Sequence, residues 1–320
     1  VTTLHKSRVR SRLQTPPLTA ADIARLTELA RFPAEGRPLR HPVPHRGDPL
    51  AGLLDRHRLD GIAAAAGQAP ASPAPGPALA EADTVLATLA AARVRALRLK
   101  GSWIAGELYP RPAMRPMSDV DLLVSEQDNG RAVVALRQAG YRVVPGQEFN
   151  GTSKRLHGAQ LHHPDRGVPV ELHHRIARQL PLSRLARLLG LSPSACALPP
   201  VAHLLHRLLD IAKDGWARTG LLPYTDVLLL LRQAQVRVPE LLDLAVAARV
   251  PGASASALLA FDALLGPELT AAELARCRRL EPAAVRLARL AALRQDGGWR
   301  VRYTPRWQRR IIRLALGRTY

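Results

Sequence analysis

The chain has 320 residues, a formal charge of +20, 47% hydrophobic content and only 4% aromatics. That is enough apolar material for one large core or two ordinary ones, which excludes global disorder, and its Leu, Ala and Val bias favours helix over sheet. Lysine is confined to Lys6, Lys100, Lys154 and Lys213, so the arginine-rich balance reads as a GC-rich bacterial composition. The excess over acids points to an anionic partner: nucleotide, nucleic acid, acidic peptide or lipid headgroup.

Cys196 and Cys277 stand far apart without CxxC-type spacing. No disulfide framework or zinc site follows, and a cytoplasmic location is the expectation. The basic N-terminus lacks a following apolar segment of signal-peptide length. No run approaches the ~18 apolar residues of a membrane span, and the longest candidate, "LLPYTDVLLLLRQA", is broken by Pro223 and Asp226.

In chain order, residues 1–18 read as a basic arm. Thr19 can cap "TAADIARLTELARF", where Ile23, Leu26, Leu29 and Ala30 recur at helical spacing. A second helix is expected at 49–65, with Leu50, Leu53 and Leu54 on one face and Leu59 and Ile62 on a face rotated from it. "GQAPASPAPGP" is an Ala/Pro linker, the clearest boundary in the chain. The expected division is 1–76, N-terminal helical extension and linker; 77–178, a core; and 179–320, an α-helical region.

Past the linker, "ALAEADTVLATLAAARV" is helical, "RALRLK" a short strand and "SWIAGELY" a helix opening at Ser102. "SDVDLLV" reads as a strand, "EQDNGRAVVALRQAG" as a helix and "YRVVPG" as a strand. "GAQLHHP" and "VPVELHHRI" flank the turn "PDRG" as a hairpin. Helical periodicity then dominates at 182–190, 199–213, 219–234, 239–248, 253–265, 270–279, 282–295 and 304–316. The expected fold is α+β: a small mixed-sheet core with N-terminal helices and a mainly α-helical C-terminal region.

The chemistry concentrates in "LKGSWIAGELYPRPAMRPMSDVDLLV". On a strand, Asp119 and Asp121 project to one side about 7 Å apart, and like charges at that separation call for solvent, a proton or a bridging cation. Glu171, on a later strand, is a candidate third carboxylate, and such a set suits Mg²⁺ or Mn²⁺ and in-line phosphoryl displacement. Gly101 and Ser102 at a helix start suit an anion, with Lys100 and Arg115 to neutralise phosphate charge.

Strand, Gly-Ser, helix, Asp-x-Asp strand and a later carboxylate strand resemble the polymerase-β-like nucleotidyltransferase superfamily. More narrowly, "LKG…LYP…RPMSDVDLLV…ALRQAGY…VELHHR", with "AHLLHRLLD" and "YTDVLLLL" beyond, is similar to a bacterial nucleotidyltransferase family often encoded in natural-product, including lasso-peptide, gene clusters. The resemblance spans roughly 80–235. It implies Gly101 and Ser102 as the phosphate-binding pair and Asp119, Asp121 and Glu171 as catalytic metal ligands. Two features depart from the superfamily pattern: a long span from Ser102 to Asp119, and Glu in place of the commoner Asp at 171.

The implied reaction is Mg²⁺-dependent transfer of a nucleoside monophosphate from an NTP to an acceptor hydroxyl of a peptide, small molecule or glycan. The alternatives are phosphate or sugar transfer to a peptide from a nucleotide-activated donor, and a non-catalytic scaffold. His173 shares a strand face with Glu171 and is a candidate contact to a metal ligand or phosphate. The remaining histidines of the two His-His pairs read as hairpin surface, and His203, His206 and Asp210, on one helix face, as a helix-surface polar stripe rather than a substrate contact. Asp226 reads as a helix N-terminal charge. Few aromatics disfavour a nucleic-acid partner, and the basic 304–316 helix is the candidate for membrane-surface contact.

Overall fold

Alternation of apolar residues in the middle of the chain builds a five-stranded sheet. In this computed structural model, which describes residues 20–37, 39–41, 43, 54, 58–66, 76–145, 158–177, 179–216 and 220–294, its strands are β1 (Ala96–Arg98), β2 (Val120–Val124), β3 (Arg142–Val143), β4 (Gly158–His162) and β5 (Pro169–His173). Their spatial order is β1-β2-β5-β4-β3. Only the β2–β5 pair is parallel. Its register aligns Asp121 with Glu171 and Leu123 with His173, so these residues share one face of the sheet.

The opposite face is apolar. Val120, Leu122, Val124, Ala159, Leu161, Val170 and Leu172 are buried there against α3 (Pro77–Ala91) and α5 (Asn129–Gln138). Ala78, Ala82, Val85 and Leu89 supply the contact stripe of α3, at the three- and four-residue steps of a helix face. Pro77 suits the first turn of α3, where its missing N–H would be unsatisfied anyway.

The other face meets a helical layer. The helices α1 (Ala20–Glu35) and α2 (Asp60–Ala66) precede the sheet, and α4 (Lys100–Glu107) lies between β1 and β2. After a two-strand ribbon, β6 (Arg175–Ala177) with β7 (Leu180–Pro181), come α6 (Leu182–Leu189), α7 (Pro200–Lys213) and α8 (Leu222–Arg232). α9 (Val238–Ala247), α10 (Pro251–Leu265), α11 (Ala271–Leu280) and α12 (Ala283–Arg294) complete the described chain. α7 is central: Leu204, Leu205, Leu208 and Leu209 are all fully buried, and it packs on α8, α9 and α10. α1 packs along α8, where the Thr225 hydroxyl donates to the Ala30 carbonyl at 2.9 Å.

Three expectations change. The helix expected as continuous over 49–65 is broken at Arg58 and Leu59: Arg58 takes a left-handed conformation (φ 57°), the Leu59 N–H closes back on the Leu54 carbonyl, and a helix begins again at Asp60–Ala66, while residues 49–53 and 55–57 lie outside the described residues. That bond pattern terminates a helix. α4 opens at Lys100, not Ser102, and Lys100 is left-handed (φ 46°) at the junction that follows β1. Asp119 sits just before β2, whose first residue is Val120. The arm at 1–18 and the basic helix expected at 304–316 lie outside the described residues.

Candidate active site

The parallel pairing of β2 and β5 places the Asp121 and Glu171 carboxylates side by side. Asp121 is buried between two partners: Lys100 Nζ donates to its Oδ1 at 2.8 Å, and His173 Nε2 lies 2.8 Å from the same oxygen. His173 Nε2 is also 3.4 Å from Glu171 Oε2. One ligand atom from each of Asp121, Glu171 and His173 lies within 4.8 Å of the others. Asp119 lines the same cleft but stands outside that close cluster.

The electrostatics follow from burial and pairing. Burial opposes the charge on Asp121, yet Lys100 and His173 hold its pKa well below the ordinary carboxylate range. Burial also opposes the charge on Lys100, and Asp210 and Asp121 outweigh it, so the ammonium is held above its usual pKa. The His173 hydrogen bond, against desolvation, keeps Glu171 ionised below its ordinary pKa. Burial and Lys100 oppose a charge on His173, but its bonds to Asp121 and Glu171 raise its pKa. Asp119 moves upward through partial burial and the neighbouring Asp121 charge. Lys100 and the His173 hydrogen bond offset the Asp121 charge, while Asp119 still feels it.

The helical layer supplies the far wall of a cleft of about 250 Å³. Asp210 of α7 is 3.9 Å from Lys100 Nζ, 3.8 Å from Arg207 and 3.4 Å from Lys213. Beneath it lies a second buried cluster around Asp226 of α8. Arg115 grips that carboxylate with two nitrogens at 2.9 and 2.8 Å, Arg207 approaches at 3.1 Å, and the Tyr109 hydroxyl donates at 3.0 Å. Asp226 has no exposed surface. Its burial is offset by Arg115 and Arg207, which hold its pKa low.

These placements revise several readings. Asp226 is the anchor of a buried ion cluster and lies past the first turn of its helix, so it is not simply a helix N-terminal charge. His203 and His206 are buried, not a surface stripe: the His203 ring stacks on Trp103 at 3.9 Å, and His206 Nε2 is 4.0 Å from Asp210. Arg115 lines the cleft while bound to Asp226. Gly101 is small for that arginine, since a side chain there would collide with the Arg115 guanidinium. The Ser102 hydroxyl is buried and donates to the Leu99 carbonyl at 2.9 Å, so it does not face the cleft in this conformation. The sequence reading placed Asp210 with His203 and His206 on one helix face as a polar stripe, and gave no site role to Arg207, Lys213 or Tyr109. The i, i+3 spacing of Arg207 and Asp210 was the available signal for one helix face.

A family model described as "Uncharacterised nucleotidyltransferase" matches residues 77–266. The chain belongs to this nucleotidyltransferase family. No curated protein matches it. The nucleotidyltransferase match takes in the whole sheet, both faces of the cleft and the helices bearing Asp210 and Asp226. Among the described residues no helix is long and apolar enough to cross a membrane.

Proposed function

We propose that the cleft binds an NTP with Mg²⁺ or Mn²⁺ and transfers its nucleoside monophosphate to an acceptor hydroxyl, releasing pyrophosphate. The observation that carries the reading is the convergence of Asp121, Glu171 and His173 within 4.8 Å beside a cleft whose lining includes Arg58, Lys100, Arg115, Arg207 and Lys213 among its aspartates. The donor set fits a divalent cation. Two carboxylates suit Mg²⁺ with phosphate oxygens completing its shell, and the imidazole nitrogen extends the set towards Mn²⁺. Asp119, at the rim, is the further carboxylate. A cation bound there supplies positive charge opposite the transferring phosphoryl oxygens.

The remaining work belongs to the chain. Lys100, Arg207 and Lys213 oppose phosphate charge, and Arg115 is held rigid by Asp226 so that its position is set before substrate arrives. Gly101 keeps the floor of the cleft low. Glu171, half-buried and ionised at neutral pH, is in the form required to accept the proton of the acceptor hydroxyl. His173 orients Asp121 and Glu171 relative to each other.

The test is ligand-linked stability followed by product analysis. NTPs should raise the melting temperature only with Mg²⁺ or Mn²⁺ present, by the equivalent of about 2.7 kcal/mol at a hundredfold excess over Kd. Asp121→Asn should lose that shift. With α-labelled NTP the label should pass to the acceptor, while γ-label should leave as pyrophosphate. An undiminished shift in Asp121→Asn, or transfer of the γ-label to the acceptor, would overturn the reading.

A further inference from the structure

From the placement of Arg58 at the cleft, we infer that this residue, supplied by a segment preceding the family-matched region, contacts a phosphate oxygen of the bound triphosphate. The inference rests on the nucleotidyl-transfer reading above and extends the binding site to residues the family match does not reach.

The segment around Arg58 is built into the core. Leu54, Leu59 and Ile62 are buried in the same cluster as the helical layer. α2 docks closely on the 3-10 turn Pro112–Met114: a side chain at Gly61 would come within 2.6 Å of the Ala113 carbonyl and 2.8 Å of the Met114 carbonyl. Arg111 also donates to the Ala65 carbonyl. That turn leads directly into Arg115 and the rim at Ser118 and Asp119. The anchoring therefore fixes Arg58 relative to the cleft.

Charge matching separates Arg58 from its neighbours. Lys100 pairs with Asp121, Arg115 with Asp226, Arg207 with Asp226 and Asp210, and Lys213 with Asp210. Arg58 lines the same cleft, and among the described residues no carboxylate lies within ion-pair distance of it. Its one hydrogen bond there is a long one, 3.4 Å to the Pro116 carbonyl. Desolvation at the cleft, then the like charge of Arg115, makes its positive charge less favourable than in open solvent. An exposed guanidinium in that position, with donors to spare, is complementary to a phosphate anion. Its left-handed backbone does not carry the inference, because Arg93 and Arg249 adopt the same conformation elsewhere. That conformation does supply a control: glycine tolerates it without strain.

The experiment is calorimetric titration of the full chain with inorganic tripolyphosphate and with ATP, each with Mg²⁺, for wild type, Arg58→Gln, Arg58→Gly and Arg58→Lys. Arg58→Gln and Arg58→Gly should weaken both ligands by about tenfold or more, the scale of a lost charge-assisted hydrogen bond. Arg58→Lys should recover part of the loss. Arg58→Gly should keep or raise the melting temperature, which separates lost binding from lost folding. In turnover the nucleotide KM should rise more than kcat falls. Equal tripolyphosphate affinity in wild type and Arg58→Gln overturns the inference alone. Absence of tripolyphosphate and ATP binding by wild type overturns the nucleotide-binding reading beneath it as well.

Discussion

The two faces of the sheet are made by the same strands and solve opposite problems. In β2, Val120, Leu122 and Val124 point into an apolar layer against α3 and α5, while Asp121, one residue out of phase, enters a cluster of buried charges. The apolar face is held by area removed from water and tolerates approximate placement. The charged face is held by pairings that must each be satisfied, because a buried charge without its partner is costly. Period-two alternation thus lets one strand carry packing and chemistry at once, with the packing face fixing the position of the charged one.

The sharpest way to break the comparison is at Asp226. Replacing it with Ala leaves Arg115 and Arg207 buried without their shared carboxylate, and a loss of about 3–5 kcal/mol in denaturant unfolding is expected. A cost below about 1 kcal/mol would mean that water or other groups take over and that the cluster does not set the position of Arg115. On the apolar face, Leu122→Ala should cost about 2–5 kcal/mol through lost burial and a residual cavity. Because Leu122 faces away from the cleft, its Mg²⁺–NTP melting shift should match that of wild type. A lost shift would show that the two faces are not separable.

The smallest effect lies in acid. Burial, then Arg207, pushes His203 down to about 3, well below its value in the unfolded chain. Between those two pKa values the unfolded state binds the extra proton, so stability rises with pH and falls as pH drops below about 6.5. His203→Phe keeps a ring against Trp103 and removes the titration. Its stability should therefore decline less steeply than that of wild type between about pH 6.5 and 4, by up to about 1.4 kcal/mol per pH unit. Parallel slopes in urea titrations of the two proteins would rule out His203 as a source of acid sensitivity.

How much was legible depended on the range of the interaction. The α+β class, the β4–β5 hairpin and the helices between Leu182 and Arg294 follow from local periodicity and turn chemistry. Strand alternation and strand order suffice to bring Asp121 and Glu171 together with His173 beside them, but the remaining ligand expected from the sequence was Asp119, which stands outside the close cluster that His173 joins. The role of Asp226 was not legible, because its partner Arg115 is 111 positions away in sequence and no local pattern announces the pair. Ser102 and Arg115 carried plausible phosphate-binding chemistry, but the fold gives the Ser102 hydroxyl to Leu99 and the Arg115 guanidinium to Asp226. Relief of repulsion between Asp119 and Asp121 was a natural expectation from spacing. Lys100, 2.8 Å from Asp121, changes that arithmetic by offsetting the Asp121 charge within the fold, although Asp119 still feels it.

The way α1 and α2 are seated bears on where this molecule could be cut. Both helices precede the matched segment, yet Leu26, Leu59 and Ile62 are completely buried and Leu29 almost so, all within the core shared with α7 and α8. Each such side chain contributes about 1.5–3 kcal/mol gross, so together they rival the net stability of an ordinary domain, about 5–15 kcal/mol. A fragment confined to residues 77–266 would open that groove to water and strip the Thr225 hydroxyl of its bond to Ala30. The limits of family similarity along this chain are therefore not the limits of a unit that could be excised and expected to stand by itself.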